Sequence, residues 1–419
     1  MTVSYAPATS TRPGISTAGV LCAVTIEALT SVSVNLLLNG VAFLMTSRYG
    51  FTVKQNLWLM MTLAAAYAIG ALATGKVARR FSKPATLLGM QFVMLALLIP
   101  LALAGLGMIG SIWLFIPLLV AAMMVSTLTW PMIESILTEN CDPKKMSRRI
   151  TIYNLSWSLT SVIVIAAYGT LLQFWPAGPL LLPIISHSLC LVLALVLRRL
   201  LPKTTPAEAA PAVQHAAPDA DLLQSRVLAL WLSRISLPAS FVVANSLMAM
   251  YPTMPVAAEL GKAGSLLASL WMGARVAMFA LLGATTVWHH RPKWLLGGGI
   301  LLLLSYLAIV IPGERLSIFA GAPLWSVVTI MSAGEVVLGL MAGFVFSSSL
   351  YFGMVLSEGS TDHGGYHEAL IGVGGVMGPG LAAVAQQLAS GGTHLPGIAA
   401  VCGLMLLTIS AATWITVRK

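Results

Sequence analysis

Charge is scarce in this 419-residue sequence: 9% of its residues are Asp, Glu, Lys or Arg, and acids number only 13. Soluble domains carry about 25% charged residues, so this chain has too little charge to cover the surface of a soluble enzyme. Cysteine is scarce as well. Cys22, Cys141, Cys190 and Cys402 show no CxxC spacing and no histidine at metal-ligand spacing, so neither a disulfide framework nor a metal site is expected. HExxH, GxSxG and a Walker lysine loop are absent. The apolar runs leave no stretch for a soluble ATPase module, so an enzyme and an ATP-driven pump are not expected. What remains is abundant apolar sequence: 58% of residues are hydrophobic. That share excludes disorder and, at about 20 apolar residues per membrane-spanning helix, supplies about twelve spans.

The apolar runs place spans at 17–39, 56–75, 85–105, 111–137, 150–172 and 179–198, then at 227–251, 263–286, 294–312, 324–350, 364–388 and 396–416. The first run is too long for a signal-peptide core, has only Arg12 before it and ends in no A-x-A-type site, so it is expected to be retained. Residues 199–226, including KTTPAEAAPAVQHAAPDADLLQSR, are rich in Ala and Pro and read as a linker. The expected organisation is a tail (1–16), a six-helix half (17–198), the linker (199–226), a second six-helix half (227–416) and a short tail (417–419).

The net charge of +10 is explained by its distribution. With the N-terminus inside, 17 of the 23 Lys and Arg residues fall on cytoplasmic segments and 4 (Arg48, Lys54, Lys262, Arg315) on external ones. The positive-inside rule then places both termini in the cytoplasm, and no nucleic-acid partner is needed to account for the charge. One cytoplasmic loop, about 355–363, breaks the pattern: it has no Lys or Arg and carries Glu358 and Asp362.

The two halves match weakly. GKVARRFSKP (Gly75–Pro84) after the second span corresponds to VWHHRPKW (Val287–Trp294) after the eighth, and YNLSWS (Tyr153–Ser158) opening the fifth to YHEALIG (Tyr366–Gly372) opening the eleventh. Such internal repeats are expected where two halves rock about a central site.

With six plus six spans, a central linker and these loops, the chain resembles the major facilitator superfamily over nearly its whole length. Its loop motif G-x-x-x-D-R-x-G-R-R/K is matched at Gly75 and Arg80, but Arg79 stands where the family has an acid and Ser82 where it has Gly. The family acid helps to latch the halves, so the departure puts that latch in question. The antiporter motif G-x-x-x-G-P is missing from span 5 and occurs in span 11, as Gly374, Gly378 and Pro379. The resemblance implies an all-α polytopic fold with a central cavity lined by spans 1, 4, 7 and 10. GVGGVMGPG (Gly372–Gly380) also has a reading without the family: glycines four apart allow close helix approach and Pro379 favours a kink, for tight packing or for a hinge.

Charges deep in a bilayer cost roughly 2.5–3.5 kcal/mol or more and mark function by default. Glu27, Arg275 and Glu335 lie near mid-span. By the resemblance, Glu27 and Glu335 face the cavity from opposite halves with Arg275 beside it, a set suited to loading and releasing a proton, since burial favours a neutral acid and a nearby guanidinium opposes that. A fixed Arg275–Glu335 ion pair is the structural alternative. On this reading Glu27→Gln and Glu335→Gln abolish proton-driven transport. Glu27, Ser31 and Asn35, spaced four apart, share one polar helix face; Asn39, Asn245 and Ser332 are further candidates to line the cavity. Glu134 and Arg234 lie near enough to a span end that either is able to snorkel to the interface. Glu134, Asn154, Ser156 and Trp157, with His367 and Glu368 at similar depth, read as a cytoplasmic gate. Trp130, Trp157, Trp271 and Tyr251 are able to stack on a ring-bearing substrate, but interface anchoring is the default for most of them.

The expectation is therefore a secondary active transporter for a small organic solute, monomeric and multi-pass in the inner or plasma membrane. It uses no cofactor beyond a proton as coupling ion, and export is slightly favoured. Proton-coupled uptake of a sugar or organic acid, or an uncoupled facilitative carrier, is the alternative. One deep Arg among acids suits neutral or cationic substrates better than polyanions.

Overall fold

The computed structural model describes residues 15–201, 220–357, 360–389 and 394–417. Twelve helices are long and apolar enough to cross a membrane: Thr17–Asn39, Val53–Phe81, Lys83–Gly105, Ile112–Thr138, Lys144–Phe174, Gly178–Leu200, Leu223–Thr253, Ala263–Ala284, Trp294–Gly313, Leu324–Ser357, Thr361–Leu388 and Leu395–Val417. They are numbered spans 1–12. Helices are the economical solution here because each satisfies its own backbone polar groups where lipid cannot. All twelve expected spans are present, and several run beyond their apolar core into basic loops. Span 2 ends at Phe81, and the helix containing span 7 begins at Ala220, so the last seven residues of the expected linker are helical. Arg12, Glu358 and most of the linker lie outside the described residues.

Local chemistry sets the helix ends. A capping box joins Thr52 and Gln55 at span 2, and the Asp142 carboxylate accepts the Lys145 amide (2.9 Å) at the helix of span 5. Loops that share a face are tied to one another. On the basic face Lys83 bonds Glu139 (2.8 Å), while the buried Arg149 donates to the Leu137 carbonyl (2.7 Å) and the Ile15 carbonyl (3.2 Å). On the opposite face Arg315 grips Glu259 at 3.0 and 2.5 Å. Exposed Leu, Ile and Phe such as Ile69, Phe92, Ile163 and Leu407 cover the outside, as a lipid-facing surface requires. Trp113, Trp294, Trp325 and Trp414 are exposed near span ends, where indoles anchor at the interface.

The halves meet along two seams of small residues. In span 2, Ala64, Ala68, Ala71 and Gly75 lie against Gly375, Gly372, Gly365 and Asp362 of span 11. Spans 5 and 8 form the corresponding seam, with Gly169 against Lys262 and Ser265, and Gly283 against Thr151. The glycine run of span 11 thus serves two neighbours. Gly372 and Gly375 face span 2, whereas Gly374 and Gly378 touch the backbone carbonyls of Pro238 and Val242 in span 7. The helix Thr361–Leu388 runs on through Pro379.

Candidate functional site

Between the halves lies a cavity of about 110 Å³. Span 1 supplies one wall through Glu27, Ser31, Asn35 and Asn39, the polar face expected from the sequence. Their side chains form a ladder: Ser31 Oγ reaches Glu27 Oε1 (3.5 Å), Asn35 Nδ2 donates to the Ser31 carbonyl (2.7 Å) and Ser161 Oγ (2.8 Å), and Asn39 Nδ2 donates to Asn35 Oδ1 (2.6 Å). The wall ends in a π-helical turn, Asn35–Asn39. Such turns are rare and frequent at functional sites. Asn245 of span 7 lines the cavity from the second half.

Aromatic residues make up much of the remaining wall. Trp130, Trp157 and Trp271 line the cavity with Tyr67, Tyr153, Phe241 and Phe346. The expectation that Trp130, Trp157 and Trp271 anchor at interfaces is corrected: each faces the protein interior. Tyr251 is likewise buried. Arg275 also lines the cavity, but it does not pair with Glu335. Its guanidinium lies 4.3 Å from the Trp157 ring and 4.5 Å from the Trp271 ring, and it makes no ion pair among the described residues. Indole faces hold a desolvated cation through their ring quadrupole.

Glu335 departs from expectation in the same way. It is buried but does not line the cavity. It sits beside the Trp271 backbone, at the start of the helix Leu270–Ala284. A helix N-terminus presents unpaired N–H groups and partial positive charge, which accounts for a buried acid there without a cationic partner. The broken start of span 8, where a six-residue helix stops at Ala268, creates that N-terminus inside the half. Ser332 is half-buried and also lies off the cavity.

The acids that do converge are Glu27, Glu134 and Glu368. Glu27 and Glu368 line the cavity, and Glu134 lies just beyond it on the basic-face side. Glu134 is 2% exposed, so it does not snorkel. One ligand atom from each of Glu134, His367 and Glu368 lies within 4.8 Å of the others. The Tyr67 hydroxyl donates to Glu368 Oε2 across the halves. Arg234 points elsewhere, stacked 5.0 Å over Tyr366 and 3.5 Å from His363 Nδ1.

Below the cavity, the residues read as a gate come together. Asn154 Nδ2 reaches Ser347 Oγ (3.5 Å) across the halves, and its Oδ1 accepts the Trp157 indole (3.2 Å). Phe346 packs on Trp157 (5.1 Å between centroids) and on His367 (4.6 Å). Ser156 is apart from them, bonding the Val24 carbonyl within its own half (3.1 Å). At the surface of this face Arg79 holds both oxygens of Asp362, and Gly75 leaves the room for that carboxylate. Arg80 is exposed and stacks on its neighbour Phe81. At the opposite face a recess opens between Phe43–Arg48 and Gln173 of one half and Pro252 and Lys262 of the other.

A profile of the Major Facilitator Superfamily matches residues 21–379. The chain belongs to the Major Facilitator Superfamily. No curated protein matches it at a significant level. Among solved structures it is similar to the nucleoside transporter NupG, with a TM-score of 0.61 at 13% identity, covering 95% of this chain and 99% of that one. A point mutant of NupG gives a TM-score of 0.62 at 14% identity, covering 94% and 99%. At that identity the likeness establishes the facilitator fold, twelve spans in two halves. Membership and the twelve apolar helices point to a multi-pass membrane transporter. Within this facilitator, sequence reasoning missed Tyr67, Tyr153, Phe241 and Phe346. A tyrosine in mid-span, as in AAAYAIGA around Tyr67, is a signal that it wants a buried partner.

Proposed function

We propose that the chain is a proton-coupled secondary transporter that moves a small, ring-bearing, neutral or cationic organic solute by alternating access. The observation that carries this reading is that Glu27 and Glu368 face one cavity with no ion-pair partner among the described residues, while the Arg275 guanidinium on the same cavity lies against the Trp157 and Trp271 rings. Carboxylates buried without a counter-charge must take up a proton or another cation to stay there. Protonation from one side and release to the other then couples the gradient to movement of the halves. In this arrangement the basic face is sealed by Arg79–Asp362, Asn154–Ser347 and the Trp157–Phe346 pair, and the recess lies opposite. With the basic face cytoplasmic, both termini lie inside and the cavity is closed toward the cell interior. The protein acts as a monomer in the inner or plasma membrane, and aromatic walls with uncompensated acids favour export of lipophilic cations.

A second reading, proton-driven uptake of a polar ring compound of the nucleoside type, is favoured by the amides of Asn35, Asn39 and Asn245 on the cavity wall and by the fold shared with a nucleoside transporter. The experiment is a thermal-shift screen of purified protein against lipophilic cations, sugars, organic acids and nucleosides at two pH values. Proteoliposome flux of any hit under an imposed pH gradient follows. Stabilisation follows mass action. Flux of the hit that ignores the pH gradient would overturn proton coupling.

A further inference from the structure

We propose that Glu134, His367 and Glu368 form a site for one divalent transition-metal cation of the zinc class, bridging the two halves at the floor of the cavity. The sequence, with its ligands on spans 4 and 11, was expected to hold no metal site. The fold brings them together. Glu134 belongs to the first half and His367 and Glu368 to the second. All three are buried, at 2%, 4% and 2% exposure. Their ligand atoms lie within 4.8 Å of one another. A tetrahedral ion with bonds of about 2.0–2.2 Å sets such atoms about 3.3 Å apart, so modest inward rotation of the side chains closes the site.

The unpaired atoms point to a cation independently of the spacing. Neither oxygen of Glu134 makes a close hydrogen bond, its neighbours being the Tyr153 hydroxyl and Glu368, and Nε2 of His367 makes none. His367 Nδ1 lies 3.0 Å from Ser349 Oγ. With Nδ1 donating to that hydroxyl, Nε2 carries the free lone pair that a metal needs. The Tyr67 hydroxyl fixes Glu368 in the same manner, through Oε2. Among the described residues no guanidinium or ammonium pairs with either carboxylate, and Arg234 is turned to Tyr366 and His363. A double positive charge balances two carboxylates. The imidazole selects against hard cations such as Mg²⁺ and Ca²⁺, which take six or more oxygens. Glu368 borders the cavity, which supplies the ion's path and leaves a fourth position for water. The ligands come from both halves, so the ion binds only while these helices are together, and it holds the basic face closed.

Binding is measured without substrate or gradient, so its outcome is separate from that of the transport reading. Purified full-length protein is titrated with Co²⁺ and read by its visible absorption, then with Zn²⁺ as competitor. The expected result is one Co²⁺ per chain with the intense bands of tetrahedral coordination, displaced by Zn²⁺ and unaffected by excess Mg²⁺. His367→Gln and Glu134→Gln are expected to weaken binding at least about 10-fold, and Ser349→Ala about 10-fold or more through loss of ring orientation. Glu139→Gln, at a surface ion pair with Lys83, is the control and retains parental binding. Absence of saturable one-to-one binding by the parent overturns the proposal. So does unchanged affinity in folded His367→Gln. Should Glu134→Gln not fold, the parent titration and His367→Gln still decide it.

Discussion

Asp362, at the mouth of span 11, receives a single Arg79 nitrogen on both carboxylate oxygens, at 2.7 and 2.6 Å. The pair joins the halves across the basic face, and it resolves two oddities of the sequence. The loop that lacks Lys and Arg carries the acid, and the loop motif that lacks its usual acid carries the base. Both side chains are about 60% exposed, so the pair orients the halves more than it stabilises them, being worth about 0.2–1 kcal/mol. We expect Arg79→Cys and Asp362→Cys, joined by a short reducible cross-linker, to arrest transport in proteoliposomes and reduction to restore it. Undiminished flux in the cross-linked protein would show that this face does not open.

Glu27→Gln and Glu368→Gln are expected to abolish substrate accumulation driven by a pH gradient, by about 10-fold or more, while substrate exchange down its own gradient continues. Glu335→Gln is expected to keep the coupling, contrary to what its place in the sequence implies, because its carboxylate faces the start of a helix instead of the cavity. Flux measured with and without the gradient separates the two outcomes.

Gly374 and Gly378 touch backbone carbonyls of span 7, where a larger side chain has no soft neighbour to displace. Gly374→Leu and Gly378→Leu are expected to destabilise the protein by about 1–3 kcal/mol each, read as a lower Tm in detergent. At Gly273 nothing lies within 4 Å of an added Cβ. Gly273→Ala is expected to leave the Tm unchanged or slightly raised, since Ala is the better helix former.

On the face opposite the basic loops, the Arg315 guanidinium holds the Glu259 carboxyl below its usual range by hydrogen bonding, and Glu259 raises Arg315 in return. A depressed carboxylate contributes stability above its unfolded value and loses it as the pH falls through its folded value. The Tm difference between parent and Glu259→Gln is therefore expected at neutral pH and should vanish on acidification through and below the carboxylate range. A difference that persists in acid would assign it to packing.

Much of this protein is readable residue by residue. Apolar run length alone places twelve spans, because a bilayer demands about 20 apolar residues for each crossing. Four-residue spacing alone puts Glu27, Ser31 and Asn35 on one face, because a helix repeats every 3.6 residues. The loop charges give an expected orientation by counting. Each of these is a local property, carried by neighbours in sequence. Which helix faces which is not local. Arg275 and Glu335 lie at matching depth, yet the tryptophans of spans 5 and 8 take the guanidinium and a helix N-terminus takes the acid. Glu134 reads as an interfacial acid near a span end, yet span 11 buries it against His367 and Glu368. Those partners were decided by packing, within the second half for Glu335 and between the halves for Arg275 and Glu134, where the small residues of spans 2 and 11 bring two helices close enough for buried acids to meet.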